Sequence, residues 1–136
     1  MLSSSIEETI LFGKQFAERL QPGDVVCIDG DLGAGKTHFV KGIASYFGVD
    51  PIEVNSPTFT LINEYHGSSS LYHFDCYRIK NEHEALEIGT EDYLYGDGIS
   101  VVEWPEKIRN LLPPESVWVY ISHKGEHERE ILIESD

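Results

Sequence analysis

The chain has 136 residues, 40% of them hydrophobic and 25% charged, which is the size and the mix of one globular domain. No apolar run approaches the roughly 20 residues of a membrane span, and the first residues lack the basic start and apolar stretch of a secretory signal, so we expect a cytoplasmic protein without a membrane contact. Acidic residues outnumber basic ones by 24 to 10, for a net charge of −14, which argues against direct binding of RNA or DNA because phosphate contacts need a basic face.

The first third of the chain predicts a helix, a buried strand, a glycine-rich loop and a second helix. Residues 5–8 read S-I-E-E, the form of a capping box that starts a helix. Apolar residues then fall on one helical face: Ile6, Ile10, Phe16, Ala17 and Leu20. Residues 25–29 are an apolar, β-branched run typical of a buried strand, and residues 36–47 form the helix that follows the loop.

The remainder alternates strands with short helices. Residues 54–66 and 71–77 predict an antiparallel hairpin around the Gly-Ser-Ser-Ser turn, and residues 81–89 a helix that stops at a glycine. A second buried strand at 98–104, a short helix at 105–112 and two closing strands at 116–123 and 129–134 complete the chain. The predicted fold is α/β, a P-loop NTPase-like mixed sheet flanked by helices in a single domain over residues 1–136.

The two cysteines show no metal-binding spacing. Cys27 and Cys76 lie far apart in apolar, strand-like surroundings and form no CxxC pair. We therefore expect buried free thiols and no zinc site built on them.

Residues 30–37, GDLGAGKT, match the phosphate-binding pattern G-x-x-x-x-G-K-[ST] between a predicted strand and a predicted helix. Glycines let successive backbone N–H groups curl around phosphate oxygens, and the helix N-terminus adds its positive end. In such loops the lysine, here Lys36, reaches the β- and γ-phosphates, while the hydroxyl of Thr37 binds magnesium. The pattern predicts that a nucleoside triphosphate is held here.

Two acidic residues stand at or near the ends of predicted strands. Glu103 ends the apolar run 98–104, where phosphate-binding-loop proteins place a carboxylate for magnesium. Asp75 lies in an apolar strand, where an unpaired carboxylate is costly to bury, so it faces either solvent or the phosphate site. Arg78 could pair with Asp75 or approach the γ-phosphate.

Two further features of the sequence suggest a nucleotide switch and a partner surface. Residues 56–60, SPTFT, follow the loop helix where nucleotide switches sense the γ-phosphate, and Ser56 and Thr58 supply hydroxyls there. Trp104, beside Glu103, belongs either to the core or to a partner surface.

The motifs GDLGAGKT, SPTFTL, YHFDCYR and VVEWPE occur in one order, and on them the chain resembles the TsaE family over nearly its whole length. The resemblance implies a weak ATPase that uses ATP and Mg²⁺, with Asp75 and Glu103 joining Lys36 in catalysis. It also implies action on the TsaD–TsaB complex, which attaches threonylcarbamoyl to adenosine in tRNA, so that tRNA is met only through that complex. One departure is His38, which stands where a second Thr or Ser is often found.

The resemblance also implies a set of binding residues. Thr37 and Glu103 would hold magnesium, and Ser56, Thr58, Arg78 and Trp104 would form the switch and partner side. The phosphates would be wrapped by the loop residues Asp31, Leu32, Gly33, Ala34, Gly35, Lys36 and Thr37. Adenine would pack near Ile6 and Thr9, while Glu106 and Arg129 would close over the nucleotide.

Three other functions fit parts of the pattern. A small-molecule kinase of the P-loop class needs positive charge for a second phosphate group, yet the chain has only four arginines and no Arg-rich lid. A GTPase is disfavoured because no N-K-x-D-type segment would select guanine. A nucleotide-dependent binding module with incidental hydrolysis stays open, because no general base or arginine finger is evident.

Overall fold

The computed structural model describes residues 1–31, 35–54 and 62–134, so Leu32, Gly33, Ala34, Ser56 and Thr58 lie outside the described part. The described strands form one seven-stranded sheet in the order β1-β7-β6-β2-β5-β4-β3. Their bounds in chain order are β1 Leu2–Ser3, β2 Val25–Asp29, β3 Ile62–His66, β4 Ser70–Asp75, β5 Ile99–Glu103, β6 Val117–His123 and β7 Arg129–Glu134.

The centre of the sheet is parallel and its margins are antiparallel, which confirms the predicted mixed sheet. Strand β2 pairs in parallel with β5 and β6, and β4 pairs in parallel with β5. Strands β3 and β7 are antiparallel to β4 and β6. The hairpin predicted from residues 54–66 and 71–77 is therefore present, with its described strands over Ile62–His66 and Ser70–Asp75. The carboxyl ends of β2, β4, β5 and β6 meet at one edge, where ligands bind in open α/β sheets.

Helices cover both faces of the sheet. Helices α1 (Ile6–Ala17) and α2 (Lys36–Tyr46) pack on each other and, through the cluster that includes Phe16, Phe39 and Ile43, on one face. Helices α3 (Glu82–Glu87) and α4 (Thr90–Leu94) and the 3₁₀ helix Pro105–Leu111 border the other face, in the cluster with Phe74 and Ile108. The phosphate-binding pattern thus joins β2 to α2 as predicted.

Helix α1 begins where the capping box placed it, with one difference on its apolar face. Ser5 is the N-cap, and its hydroxyl accepts a hydrogen bond from the Glu8 N–H at 3.1 Å. Ile6 was predicted on the buried face, but it is 54% exposed. The residues buried along the helix are Thr9, Gly13, Phe16 and Ala17. The buried stripe therefore starts one turn later than the spacing indicated.

Other elements differ from the sequence-based expectation. Residues 105–112 were predicted as a short helix, and Pro105–Leu111 is a 3₁₀ helix with non-helical backbone at Ile108. The strand β1, the helix α4 and the short 3₁₀ helix Pro51–Glu53 were not predicted. A strand of two residues carries too little pattern to detect, because only its pairing with β7 makes it a strand.

The two cysteines are buried free thiols, as predicted. Burial raises the pKa of Cys27 and of Cys76 to about 12, so both thiols stay protonated and unreactive at neutral pH. Within the described ranges, none of the helices has the length and the apolar character needed to span a membrane.

Helices α1 and α2 approach through two glycines, which brings their backbones into contact. A Cβ on Gly42 would stand 2.0 Å from the carbonyl oxygen of Ile10, and one on Gly13 would stand 2.3 Å from that of Phe39. Contacts this short involve backbone atoms, so neither glycine can gain a side chain unless the helices move apart. Because α2 begins at the phosphate-binding pattern, this packing holds the start of α2 against α1.

We expect Gly42→Ala to lower the free energy of unfolding by at least about 1 kcal/mol, because overpacking costs typically 1–3 kcal/mol and outweighs the gain in helix propensity. Urea denaturation measures the change. The control is Gln15→Ala at an exposed site of α1, expected to change the same quantity by less than about 0.5 kcal/mol. Equal stability of the two variants would contradict the close approach of the helices.

Candidate functional site

Lys36 lies at the start of α2, buried at the carboxyl edge of the sheet. Gly35 precedes it as the N-cap with φ 101°, a left-handed conformation that favours glycine. The Lys36 side chain is 5% exposed, and its Nζ donates a hydrogen bond to the carbonyl oxygen of Gly30. Lys36 thus bridges the two ends of the glycine-rich segment.

Several acidic side chains act electrostatically on the Lys36 ammonium. Glu103 ends β5, and its register partner Asp75 ends β4, so the two acids are neighbours on adjacent parallel strands. Burial lowers the pKa of Lys36, and attraction to acidic groups opposes that shift. In decreasing order these groups are Glu103, Glu106, Asp75 and Asp29. The predicted convergence of Lys36, Asp75 and Glu103 is therefore present at this edge.

Trp104 closes the site on one side, against Lys36. The Lys36 Nζ lies 3.6 Å from the centroid of the indole ring, a cation–π contact, and the Tyr77 ring lies 4.9 Å from the same indole. Trp104 has a φ of 58°, and within the described ranges it is the only non-glycine residue with a positive φ. A bulky residue in this region is strained, and such strain clusters at functional sites.

Asp75 is half-buried beside these groups. Its Oδ1 accepts a hydrogen bond of 3.0 Å from the backbone N–H of Tyr77. Burial is the main cause that raises the pKa of Asp75, and the hydrogen bond from the Tyr77 N–H is the largest effect that lowers it. Glu103 raises this pKa further by repulsion, and Lys36 lowers it by attraction. Of the two orientations that the sequence left open, the structure supports the one toward the phosphate site.

Without nucleotide and magnesium, we expect Asp75→Asn to raise the Tm at neutral pH. The folded protein holds the Asp75 proton more strongly than the unfolded chain does, because the pKa of Asp75 is raised on folding. Ionisation of Asp75 therefore lowers the free energy of unfolding as the pH rises through the raised pKa. The difference in Tm between variant and parent should narrow as the pH falls toward the ordinary carboxyl pKa of about 4. Thermal melts across this range in EDTA test it, and a lower Tm for the variant at neutral pH would contradict it.

A chain of buried hydrogen bonds leads from Glu103 through His73 to Tyr65, and it was not predicted from the sequence. His73 is fully buried, with Nε2 2.5 Å from Glu103 Oε2 and Nδ1 3.1 Å from the Tyr65 hydroxyl. His73 and Asp75 are two apart in β4 and face the same side. The sequence signal that could have indicated a role for His73 is its position two residues before Asp75, the acid that ends β4.

The residues predicted near adenine lie beside the start of α2. Thr9 is buried, with its Oγ1 2.7 Å from Ser3 Oγ, and its methyl lies 3.8 Å from where a Cβ on Gly35 would stand. Ile6 has the exposed surface that a base could cover. Arg129 begins β7, and it acts electrostatically on His38 of α2, whose pKa is lowered mainly by burial. The adenine assignments stay predictions.

The other predicted residues occupy the rim or lie outside the described part. Asp31 is exposed just after β2, and Arg78 is exposed in the turn after β4. Glu106, in the first turn of the 3₁₀ helix, is exposed but close enough to act on Lys36. Thr37 follows Lys36 in α2, and Ser56 and Thr58 of the predicted switch lie outside the described residues.

The donor chemistry of this edge suits a hard divalent cation together with a phosphate. Magnesium is held by one or two carboxylates plus phosphate oxygens, and Glu103 and the Thr37 hydroxyl are oxygen donors beside the lysine. Among the residues described, no group of three or more His, Cys, Asp or Glu could hold a metal ion alone.

The comparisons with known proteins agree with the motifs. The family model described as "Threonylcarbamoyl adenosine biosynthesis protein TsaE" matches residues 3–131. A Bacillus subtilis (strain 168) protein described as tRNA threonylcarbamoyladenosine biosynthesis protein TsaE is 47% identical over 126 residues, 92% of this chain and 78% of that protein. A Treponema pallidum (strain Nichols) protein of the same description is 39% identical over 132 residues, 97% of each chain.

The fold agrees as well. The crystal structure of Bacillus subtilis YdiB matches with a TM-score of 0.82 and 38% sequence identity, covering 99% of this chain and 83% of that chain. The resemblance indicated by the four motifs is thereby confirmed. The chain belongs to the TsaE family of threonylcarbamoyl adenosine biosynthesis proteins.

Proposed function

We propose that this protein binds ATP with Mg²⁺, hydrolyses it slowly, and supports threonylcarbamoyladenosine formation in tRNA by acting on the TsaD–TsaB complex in the cytoplasm. One observation carries the proposal. A buried lysine at the start of the helix after a buried strand lies among carboxylates at the ends of β2, β4 and β5. A cation with acidic neighbours at this edge suits the phosphates of a magnesium-bound nucleotide.

Each residue has a task that follows from its position. The Lys36 ammonium contacts the Gly30 carbonyl and the Trp104 ring, and it would exchange these contacts for phosphate oxygens when nucleotide binds. Glu103 and Thr37 would hold Mg²⁺, which when bound neutralises phosphate charge. Asp75 would accept a hydrogen bond from water: burial raises its pKa, and Oδ1 is the oxygen that accepts from the Tyr77 N–H, which leaves Oδ2 for this role.

Slow hydrolysis in isolation is part of the proposal, and two of the four arginines lie over aromatic rings away from Lys36. Arg19 lies over the Phe16 ring in the α1 segment, and Arg109 lies over the Trp118 ring on the other face of the sheet. Arg78 is exposed in the turn after β4, and Arg129 begins β7. A positive group that stabilises the transferring phosphate can be supplied by a partner and raise the rate about 10³-fold or more. Stimulation by TsaD–TsaB is therefore part of the proposal.

The test is ATP hydrolysis by the purified protein, alone and with TsaD and TsaB, in Mg²⁺ and in EDTA. We expect weak, Mg²⁺-dependent release of phosphate that increases when the partners are added. A rate that the partners leave unchanged would remove the stimulated ATPase and leave a nucleotide-dependent binding module. Transfer of phosphate to a small molecule would instead indicate a kinase.

A further inference from the structure

We propose that His73 is a positioning residue for Glu103, held in turn by Tyr65, so that this chain sets how well the site binds Mg²⁺ with nucleotide. The inference rests on the proposed function, because it assigns Glu103 to magnesium. It concerns a buried histidine that lies outside the phosphate-binding pattern and contacts the strand-end acid Glu103.

The three residues come from three neighbouring strands. Tyr65 lies in β3, His73 in β4 and Glu103 in β5, and their side chains meet on the face covered by α1 and α2. Tyr65 is 8% exposed, His73 0% and Glu103 3%. The contacts are 3.1 Å from Tyr65 Oη to His73 Nδ1 and 2.5 Å from His73 Nε2 to Glu103 Oε2.

Hydrogen-bond chemistry gives the chain a direction. An ionised Glu103 can only accept, so His73 Nε2 must carry the proton that it donates. In the neutral imidazole, Nδ1 is then an acceptor and takes the proton of the Tyr65 hydroxyl. The Asn63 amide nitrogen, 3.5 Å from that hydroxyl oxygen, is placed to donate to it. The tautomer of His73 is therefore set by its neighbours.

The imidazole stabilises the buried Glu103, because an apolar residue in its place would leave that carboxylate without this hydrogen-bond donor. The core residues Leu71 and Val101 around it are apolar and fully buried, so their side chains offer no replacement donor. A histidine with both nitrogens engaged also fixes one oxygen of Glu103 and leaves the other for a cation. Partners that orient metal-binding carboxylates in this way commonly change metal affinity about 10–100-fold when removed.

The test measures binding and needs no turnover. Isothermal titration gives the ADP affinity in EDTA and at increasing Mg²⁺, and hence the Mg²⁺ concentration that produces half of the metal-dependent gain. We expect His73→Phe to raise that concentration by about tenfold, with the affinity in EDTA unchanged within about twofold. His73→Gln, whose amide can still donate to Glu103, should stay within about threefold of the parent.

Two further variants separate positioning from folding. Tyr65→Phe removes only the hydroxyl and should raise the Mg²⁺ requirement by about threefold. Circular dichroism and thermal melts show whether His73→Phe folds. If it does not, Tyr65→Phe provides the test. In a Glu103→Gln background, His73→Phe should add nothing, because His73 acts through Glu103.

Folded His73→Phe or Tyr65→Phe protein with the parent's Mg²⁺ requirement would overturn the inference while leaving the proposed function intact. An equal increase in the parent and in the Glu103→Gln background would also overturn it. If the parent protein shows no Mg²⁺-dependent gain in nucleotide affinity, the proposed function fails and the inference fails with it.

Discussion

Replacing Lys36 with alanine is expected to lower kcat/KM for ATP hydrolysis by at least about a hundredfold, because it removes the cation that would contact the phosphates. The same change leaves Glu103 and Asp75 without the ammonium that now lies among them, so their charges would repel the incoming phosphates. Both effects act on binding and on the transition state. Steady-state phosphate release, with nucleotide affinity measured separately, checks the prediction.

A second lysine on the same helix provides the control. Lys41 is also in α2, but it does not belong to the group of residues that acts on Lys36. Lys41→Ala should keep kcat/KM within about threefold, as expected for a charge away from the reacting groups. If Lys36→Ala were no slower than Lys41→Ala, the site described here would not be where ATP is held.

Asp75→Asn is expected to lower kcat by about a hundredfold or more while ADP affinity changes by less than about threefold, the pattern of a lost proton acceptor. The side-chain amide oxygen can still accept from the Tyr77 N–H, so the local backbone is retained. The amide cannot take a proton from water. Single-turnover hydrolysis with saturating enzyme measures the chemical step directly.

Asp97→Asn is the matched control, since Asp97 is exposed before β5 and away from the carboxyl edge. Its kcat should equal that of the parent. An Asp75→Asn protein with unchanged turnover would remove Asp75 from the mechanism. A loss of nucleotide affinity instead of turnover would reassign it to binding.

The regular elements could be predicted because their local patterns agree with their long-range contacts. The strand Val25–Asp29 has the predicted bounds, since five residues of buried strand end at the glycine-rich segment. The order of the strands could not be read in the same way. It depends on which strands pair, and β1 is a strand only through its pairing with β7.

The same distinction between local patterns and long-range contacts applies to the site. Lys36, Glu103 and Asp75 could be predicted because each has a local signal, a loop pattern or an acid at or near a strand end. The contact between His73 and Glu103 joins residues 30 positions apart, and the Lys36–Trp104 contact joins α2 to the residue that follows β5. The position of His73 two residues before Asp75 is a local signal, but its contact with Glu103 depends on the pairing of β4 with β5.

The most direct test of the central claim is threonylcarbamoyladenosine in tRNA, measured over time with TsaD, TsaB and either the parent protein or Lys36→Ala. We predict that the parent supports repeated turnovers of the transferase, whereas Lys36→Ala and the reaction without this protein stop after the first. Equal accumulation of product in all three reactions would contradict the account.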